Sequence, residues 1–183
     1  VQTEVGGLLA GVVHAESYHS ELGNELGKEF SYLDYIAIIN MSGRKVGFRT
    51  IHDEVDVSEI AAHYGGGGHA KASGCTLTPE AYEVFVAKPF TLAPIRQDAS
   101  NNHFNVKHSP QGTLYRQNDD RFFIYLKQDN EWRIERNGKV LDESFQSFTE
   151  AEKYLKRTHT AALVRDKEFV EYLMNHYRET KSK

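Results

Sequence analysis

The chain has one cysteine, Cys75, among 183 residues. A single thiol excludes an internal disulfide framework and fits a reducing, cytoplasmic compartment. Cys75 follows a glycine-rich stretch on an expected strand, where a buried small apolar side chain is a better reading than a nucleophile. Long apolar runs are missing as well. No stretch reaches the roughly 20 residues of a membrane-spanning helix. Val1-Gln2-Thr3-Glu4 lacks the basic start and apolar block of a signal peptide, and it lacks an initiator methionine. The chain therefore reads as a portion of something longer. The 9 histidines are scattered and form no CxxC, HExxH or Asp-His-His group. There is no GxSxG elbow and no Walker lysine. His52-Asp53-Glu54 reads as an exposed turn. These absences lead to the expectation that this chain alone hydrolyses nothing and holds no metal.

Charge is present but unevenly spread. The net charge is −4. Residues 1–90 carry 12 acidic and 6 basic side chains, and residues 91–183 carry 14 and 16. This is not the broad basic footprint of a protein that grips long duplex DNA. A short anionic substrate, recognised locally, is compatible with it.

What the chain has in excess is glycine at one place, Gly65-Gly66-Gly67-Gly68, followed by His69-Ala70-Lys71-Ala72-Ser73-Gly74. Each glycine loses more conformational freedom on ordering than any other residue. Upstream, Asp56 to Tyr64 reads as a short helix with Asp56 as N-cap and Glu59 completing a capping box. Downstream, His69 to Ala72 is expected to begin a second helical turn. A glycine turn feeding a helix start offers backbone N–H groups and the positive end of a dipole to an anion. His69 adds a donor there and Lys71 adds charge. The plainer alternative is a tight connector built on left-handed glycines.

Gly65 to Gly74 resembles the GGGGH-x-x-A-A-G signature of the DHH-associated domain, with Ser73 where alanine is usual. That domain is the substrate-binding C-terminal half of DHH phosphoesterases, which include RecJ-type exonucleases, oligoribonucleases and cyclic-dinucleotide phosphodiesterases. The resemblance covers the first half of the chain. It implies that Gly66, Gly67, Gly68 and His69 hold a phosphate. It also implies that Arg49-Thr50, which matches an Arg-Ser at a strand end, faces the substrate. Ser20 and Asn24 lie in a Ser-Glu-Leu-Gly-Asn segment similar to one placed near the cleft in the oligoribonuclease branch. Their plainer reading is a helix cap and close helix packing. The implied cofactor is manganese, held by an N-terminal DHH half that this sequence does not show. The implied substrate is a short oligoribonucleotide or linear dinucleotide. The alternative is a non-catalytic nucleic-acid-binding module like the C-terminal domain of alanyl-tRNA synthetases. A third reading is an assembly module that makes a homodimer.

The expected architecture is α/β in the α+β sense, a mixed-sheet substrate domain followed by a small antiparallel meander with helices. The substrate domain is placed at residues 1–88, a linker at 89–102 and the small domain at 103–183. In the first, Leu8–Ala15, Tyr35–Ile39 and Lys45–Ile51 read as strands. Glu21–Phe30 reads as a helix with Ser20 as N-cap and Leu22, Leu26 and Phe30 inward. Gly74–Leu77 is a short strand, and Pro79–Val86 a helix. In the second, alternating runs recur at Phe104–His108, Thr113–Gln117, Phe122–Lys127 and Trp132–Arg136. Asn137-Gly138 signals a hairpin back onto Lys139–Leu141. A helix opens at Ser147 or Thr149, and a last one runs from Asp166 to about Tyr177 with Phe169, Val170, Leu173, Met174 and Tyr177 along its stripe. Thr180 to Lys183 is expected to fray. Aromatics such as Tyr115, Phe122, Phe123, Tyr125 and Trp132 alternate with basic residues. They are expected to fill a core under a helix rather than stack RNA bases.

Overall fold

A computed structural model describes residues 1–128 and 130–181, with side chains described as far as residue 175. Asp129, Ser182 and Lys183, which fall in an expected turn and the expected frayed tail, lie outside the described residues. The chain divides into two compact units, Val1–Ile95 and Arg96–Lys183.

The first unit opens with a hairpin. β1 (Gln2–Val5) pairs with β2 (Leu8–His14) around Gly6 and Gly7, both at positive φ, 61° and 80°. Two glycines between alternating runs suit this tight hairpin turn, a signal that the sequence reading passed over. α1 (His19–Glu29) then crosses to β3 (Tyr35–Asn40), which lies parallel to β2. β4 (Lys45–Arg49), α2 (Val57–His63), β5 (Gly67–His69), β6 (Ala72–Thr76) and α3 (Pro79–Tyr82) follow. The sheet order is β1-β2-β3-β4-β6-β5, so β5 is an edge.

Period-2 alternation gives this sheet two buried faces. One face packs Tyr35, Val46 and Phe48 against Val57 and Ala61 of α2 and against Ala81 and Phe85. Phe48 and Phe85 are fully buried, and each contributes about 1.5–3 kcal/mol by leaving water. The other face packs Ile36 and Ile38 under Leu22, Leu26 and Phe30 of α1, the expected stripe.

Three local expectations change. Ser20 is not the N-cap of α1. The cap is Tyr18, in the left-handed region at φ 56°, and Ser20 lies in the first turn. Gly23 and Gly27 are the buried residues of α1, and they make room for side chains rather than a backbone. An added Cβ would lie 2.6 Å from Arg49 Cγ at Gly23 and 3.2 Å from Ile51 Cγ2 at Gly27. The expected helical turn at His69–Ala72 is instead a β-hairpin, with Gly68 opposite Ser73 and His69 opposite Ala72. Pairing with β4 through β6 supplies ladder partners that one isolated turn lacks.

The second unit is a five-stranded sheet ordered β10-β9-β8-β7-β11. Its strands are β7 (Thr113–Gln117), β8 (Asp120–Gln128), β9 (Glu131–Arg136), β10 (Lys139–Phe145) and the two-residue β11 (Ala162–Leu163). All pairings are antiparallel. Asn137 and Gly138 make the expected hairpin turn, both at positive φ. α4 (Phe148–His159) is capped by Ser147, which accepts from the Glu150 N–H at 3.2 Å. α5 runs Asp166–Lys181, longer than expected. Helices cover both faces. Tyr115, Phe122 and Trp132 pack with Phe148 and Leu155 of α4, while Leu114 and Phe123 pack with Phe169 and Leu173 of α5. The aromatics therefore fill two cores. Val170 and Met174 of α5, expected inward, are exposed.

Phe104–His108 is not a strand. Asp166 accepts there from the N–H groups of His103, Phe104 and Asn105, at 2.7–3.0 Å. The fully buried Asn105 accepts from the Leu114 N–H and donates to the Leu114 and Val164 carbonyls. Its amide thus does for β7 what a neighbouring strand would do. Within residues 96–102, Asp98 accepts from Lys156 at 2.6 Å and from the Leu163 N–H at 2.9 Å, and it pairs with Lys107 at 3.0 Å.

Candidate functional site: a cationic groove over a glycine floor

β-Register assembles the site. Residues directly opposite on antiparallel strands point to the same face. Gly47 of β4 is opposite Gly74 of β6, which is opposite Gly67 of β5. This makes a row of three residues without side chains. The next row is Arg49, Ala72 and His69, and the row on the other side holds Lys45 opposite Thr76. The α1 end closes one wall with His19. The resulting groove is about 430 Å³ and is lined by His19, Asn40, Lys45, Gly47, Arg49, Gly66 and Gly74 among others.

The glycines divide by role. A Cβ at Gly66 would fall 2.1 Å from the Gly74 carbonyl, and one at Gly68 would fall 2.6 Å from Ser73 Cα. These two let β5 and its lead-in lie against β6. Gly65, at φ +73°, ends α2. Gly47 and Gly67 are different. A Cβ at Gly67 would meet nothing within 4 Å, one at Gly47 would reach only the Ile38 carbonyl at 4.0 Å, and neither has a positive φ. Packing does not require glycine at either position. What the missing side chains create is an open floor.

Arg49 is the cation of this floor. Its stem lies over Gly23, and its guanidinium donates to the Phe48 carbonyl at 2.9 Å and to Ser20 Oγ at 3.2 Å. Among the described residues no carboxylate pairs with Arg49 or with Lys45. Their charges therefore remain available to an anion. They stand four residues apart on one strand, about 13 Å, which spaces two anionic groups rather than one. His69 is exposed on the edge strand. His19 Nε2 lies 3.0 Å from the Ala15 carbonyl and 3.5 Å from Asn40 Nδ2.

Other expected site residues are occupied. The Gly66 N–H donates to the Ala61 carbonyl at 2.8 Å, closing α2. Lys71 pairs with Asp53 at 2.8 Å and donates to the His52 carbonyl. Lys71 lowers the Asp53 pKa, through a hydrogen bond first and then through its charge. Thr50 is buried and donates to the Asp34 carbonyl at 2.7 Å. Asn24 is exposed on α1. Burial pushes the Cys75 thiol up to about 11, so it is protonated at neutral pH. Sequence reading missed Asn40 and Lys45 and placed His19 among scattered histidines. The Lys45-x-Gly47-x-Arg49 alternation carries their signal, because period 2 sets all three on one face.

Among the described residues no group of three or more His, Cys, Asp and Glu side chains is placed to hold a metal ion. No helix there is long and apolar enough to cross a membrane.

Comparison with known proteins accounts for both units. Residues 15–89 match the DHHA1 domain, and residues 112–183 match the Oligoribonuclease NrnB C-terminal domain. The first unit thus carries a DHHA1 domain and the second an NrnB C-terminal domain. Oligoribonuclease NrnB of Bacillus subtilis (strain 168) is 55% identical over 173 residues, 94% of this chain and 43% of that protein. The chain thus spans less than half the length of that relative. Uncharacterized protein R106 of Acanthamoeba polyphaga mimivirus is 37% identical over 65 residues, 33% of this chain and 15% of that protein. An uncharacterized protein from Helicobacter pylori G27 has a crystal structure that superposes with a TM-score of 0.40 at 20% identity, over 46% of this chain and 28% of that one.

Proposed function

We propose that this chain is the substrate-holding portion of a cytoplasmic oligoribonuclease, and that its first unit grips a short RNA or linear dinucleotide by phosphate. The observation that carries this reading is the groove floor of Gly47 and Gly74, continued in register by Gly67 on the edge strand and flanked by Arg49 and Lys45, which pair with no carboxylate among the described residues. A guanidinium suits a phosphate because its planar fork makes two parallel hydrogen bonds. Ser20 Oγ positions that fork. His69 supplies a ring donor from the edge strand. Gly67 and Gly68 lie on the same edge, where backbone groups have no further strand to pair with.

This chain binds, orients and shields the nucleotide. Hydrolysis itself would call on a metal centre, with manganese as the ion, that would supply an activated water. The donors among the described residues do not fit such a centre. It is assigned to an N-terminal DHH half, and closure of that half over the groove completes the site.

An NMR titration of the chain with a 5′-phosphorylated RNA dinucleotide tests this reading. Amide shifts centred on Gly47, Arg49, Gly67 and His69, weakened at least tenfold in Arg49→Ala, are expected. Shifts confined to the second unit, or a dinucleotide affinity unchanged by Arg49→Ala, would overturn it.

A further inference from the structure

A second groove, in the second unit, is separate from the glycine floor. It is a groove of about 710 Å³ at the start of α5, lined by Arg96, Arg116, Arg121, Arg165 and Lys167. Three carboxylates also line it, Asp98, Glu168 and Glu171. They do not balance the charge. Asp98 is already held by Lys156 at 2.6 Å and Lys107 at 3.0 Å, outside the groove. Glu168 alone faces two guanidiniums, Arg116 at 3.3 Å and Arg121 at 3.8 Å. Those two arginines are opposite one another on β7 and β8. Among the described residues Arg96, Arg165 and Lys167 pair with no carboxylate, and all three are exposed.

Two further features mark this concentration as more than a solvated face. Arg165 and Lys167 flank Asp166, the first residue of α5. A helix dipole disfavours cations at that end, so local helix stability does not account for them. The groove lining also contains no aromatic side chain. It is therefore built to contact a charged backbone, which carries no sequence information, rather than to stack or read bases.

We infer that this groove is a second phosphate-binding site, and that its ligand is the sugar-phosphate backbone of a single-stranded RNA longer than the dinucleotide. The inference rests on the oligoribonuclease reading for the choice of RNA, while the cationic groove stands by itself. The second unit then adds affinity with strand length and with no preference among bases. Arginine forks provide the grip because they match phosphate geometry.

The test compares 5′-phosphorylated oligouridylates of two and ten nucleotides on the full chain, by fluorescence anisotropy across a salt series. Arg165→Ala/Lys167→Ala removes two exposed cations that pair with no carboxylate among the described residues. The decamer is expected to bind the parent chain more tightly than the dinucleotide. The double variant is expected to lose roughly tenfold in decamer affinity and about 1.4 in the log–log salt slope, at about 0.7 per phosphate contact. Its dinucleotide affinity stays unchanged. Unchanged decamer affinity and slope would overturn the groove as a strand site. Arg49→Ala separates the two readings. If it leaves dinucleotide binding intact, the first-unit reading fails, while the double variant's effect on the decamer still decides the groove.

Discussion

Arg49 and His69 stand in register on either side of Ala72, two strands and about 10 Å apart, on the same face of the first sheet. Nothing in the sequence separation of 20 residues brings them together. The β4-β6-β5 order does. Because no carboxylate among the described residues neutralises Arg49, that face offers an open cation beside a bare floor.

Replacing the fork should matter more than replacing the charge. Arg49→Lys keeps an aliphatic stem over Gly23 and a positive end, but it loses the second parallel hydrogen bond. The thermal midpoint should stay within a degree or two of the parent, while dinucleotide affinity falls about tenfold. Calorimetric titration beside a melting curve checks both halves. Equal affinity for the two proteins would show that only charge counts.

The floor is tested by filling it. Gly47→Val adds a β-branched side chain where only the Ile38 carbonyl lies as near as 4.0 Å. Strand propensity favours valine over glycine by up to about 1 kcal/mol. Urea denaturation should therefore give a stability equal to or above that of the parent. Ligand affinity should nonetheless drop by at least tenfold. A variant that binds normally would remove the floor from the site.

Gly23→Ala probes the link between α1 and the site. Alanine gains up to about 1 kcal/mol of helix propensity, but its Cβ would fall 2.6 Å from Arg49 Cγ. Arg49 must shift, and its contact with Ser20 goes with it. Because the same Cβ would also lie 2.9 Å from Arg49 Cβ and 3.0 Å from Ile38 Cδ1, the expected result is weaker dinucleotide binding together with a melting point at or below that of the parent, read by the same titration and melt.

Acid should weaken the second unit. Burial raises the Asp98 pKa, but the charges of Lys156 and Lys107 and the Leu163 N–H outweigh it, so the net shift is downward. A carboxyl depressed in the fold stabilises above its unfolded pKa of about 3.9, and that contribution is lost as pH falls through the folded value. Stability of this unit should therefore fall below about pH 4. Asp98→Asn should flatten that dependence in urea midpoints measured from pH 3 to 7. An unaltered profile would move the acid sensitivity elsewhere.

Asn105 makes three side-chain hydrogen bonds in full burial. Asn105→Ala strands the N–H of Leu114, while the Leu114 carbonyl keeps the Val164 N–H and the Val164 carbonyl keeps the Asn102 amide, so the second unit should lose about 1–3 kcal/mol. The decrease is measurable by urea unfolding followed at Trp132. A loss below about 1 kcal/mol would mean that water replaces the amide.

Much of this was legible from local pattern. Alternation at Lys45–Arg49 and Thr113–Gln117 and the Asn137-Gly138 turn depend on neighbours in the chain, and each stands where the sequence places it, while the helix cap falls on Ser147, one of the two residues that the sequence offers. The misreadings share one cause. His69–Ala72 reads as a helix start until β6 and β4 supply partners, and Phe104–His108 reads as a strand until Asp166, some 60 residues on, takes its N–H groups and its own Asn105 turns to Leu114 and Val164.

The sequence by itself determined that glycines cluster beside a histidine and that a lysine, a glycine and an arginine alternate, because composition and period need no third dimension. Only the tertiary structure decided that three glycines from three strands make one floor, and which cations over it keep their charge. Register and ion pairing are long-range. They depend on which strands become neighbours, and that is set by burying both faces of the sheet at once.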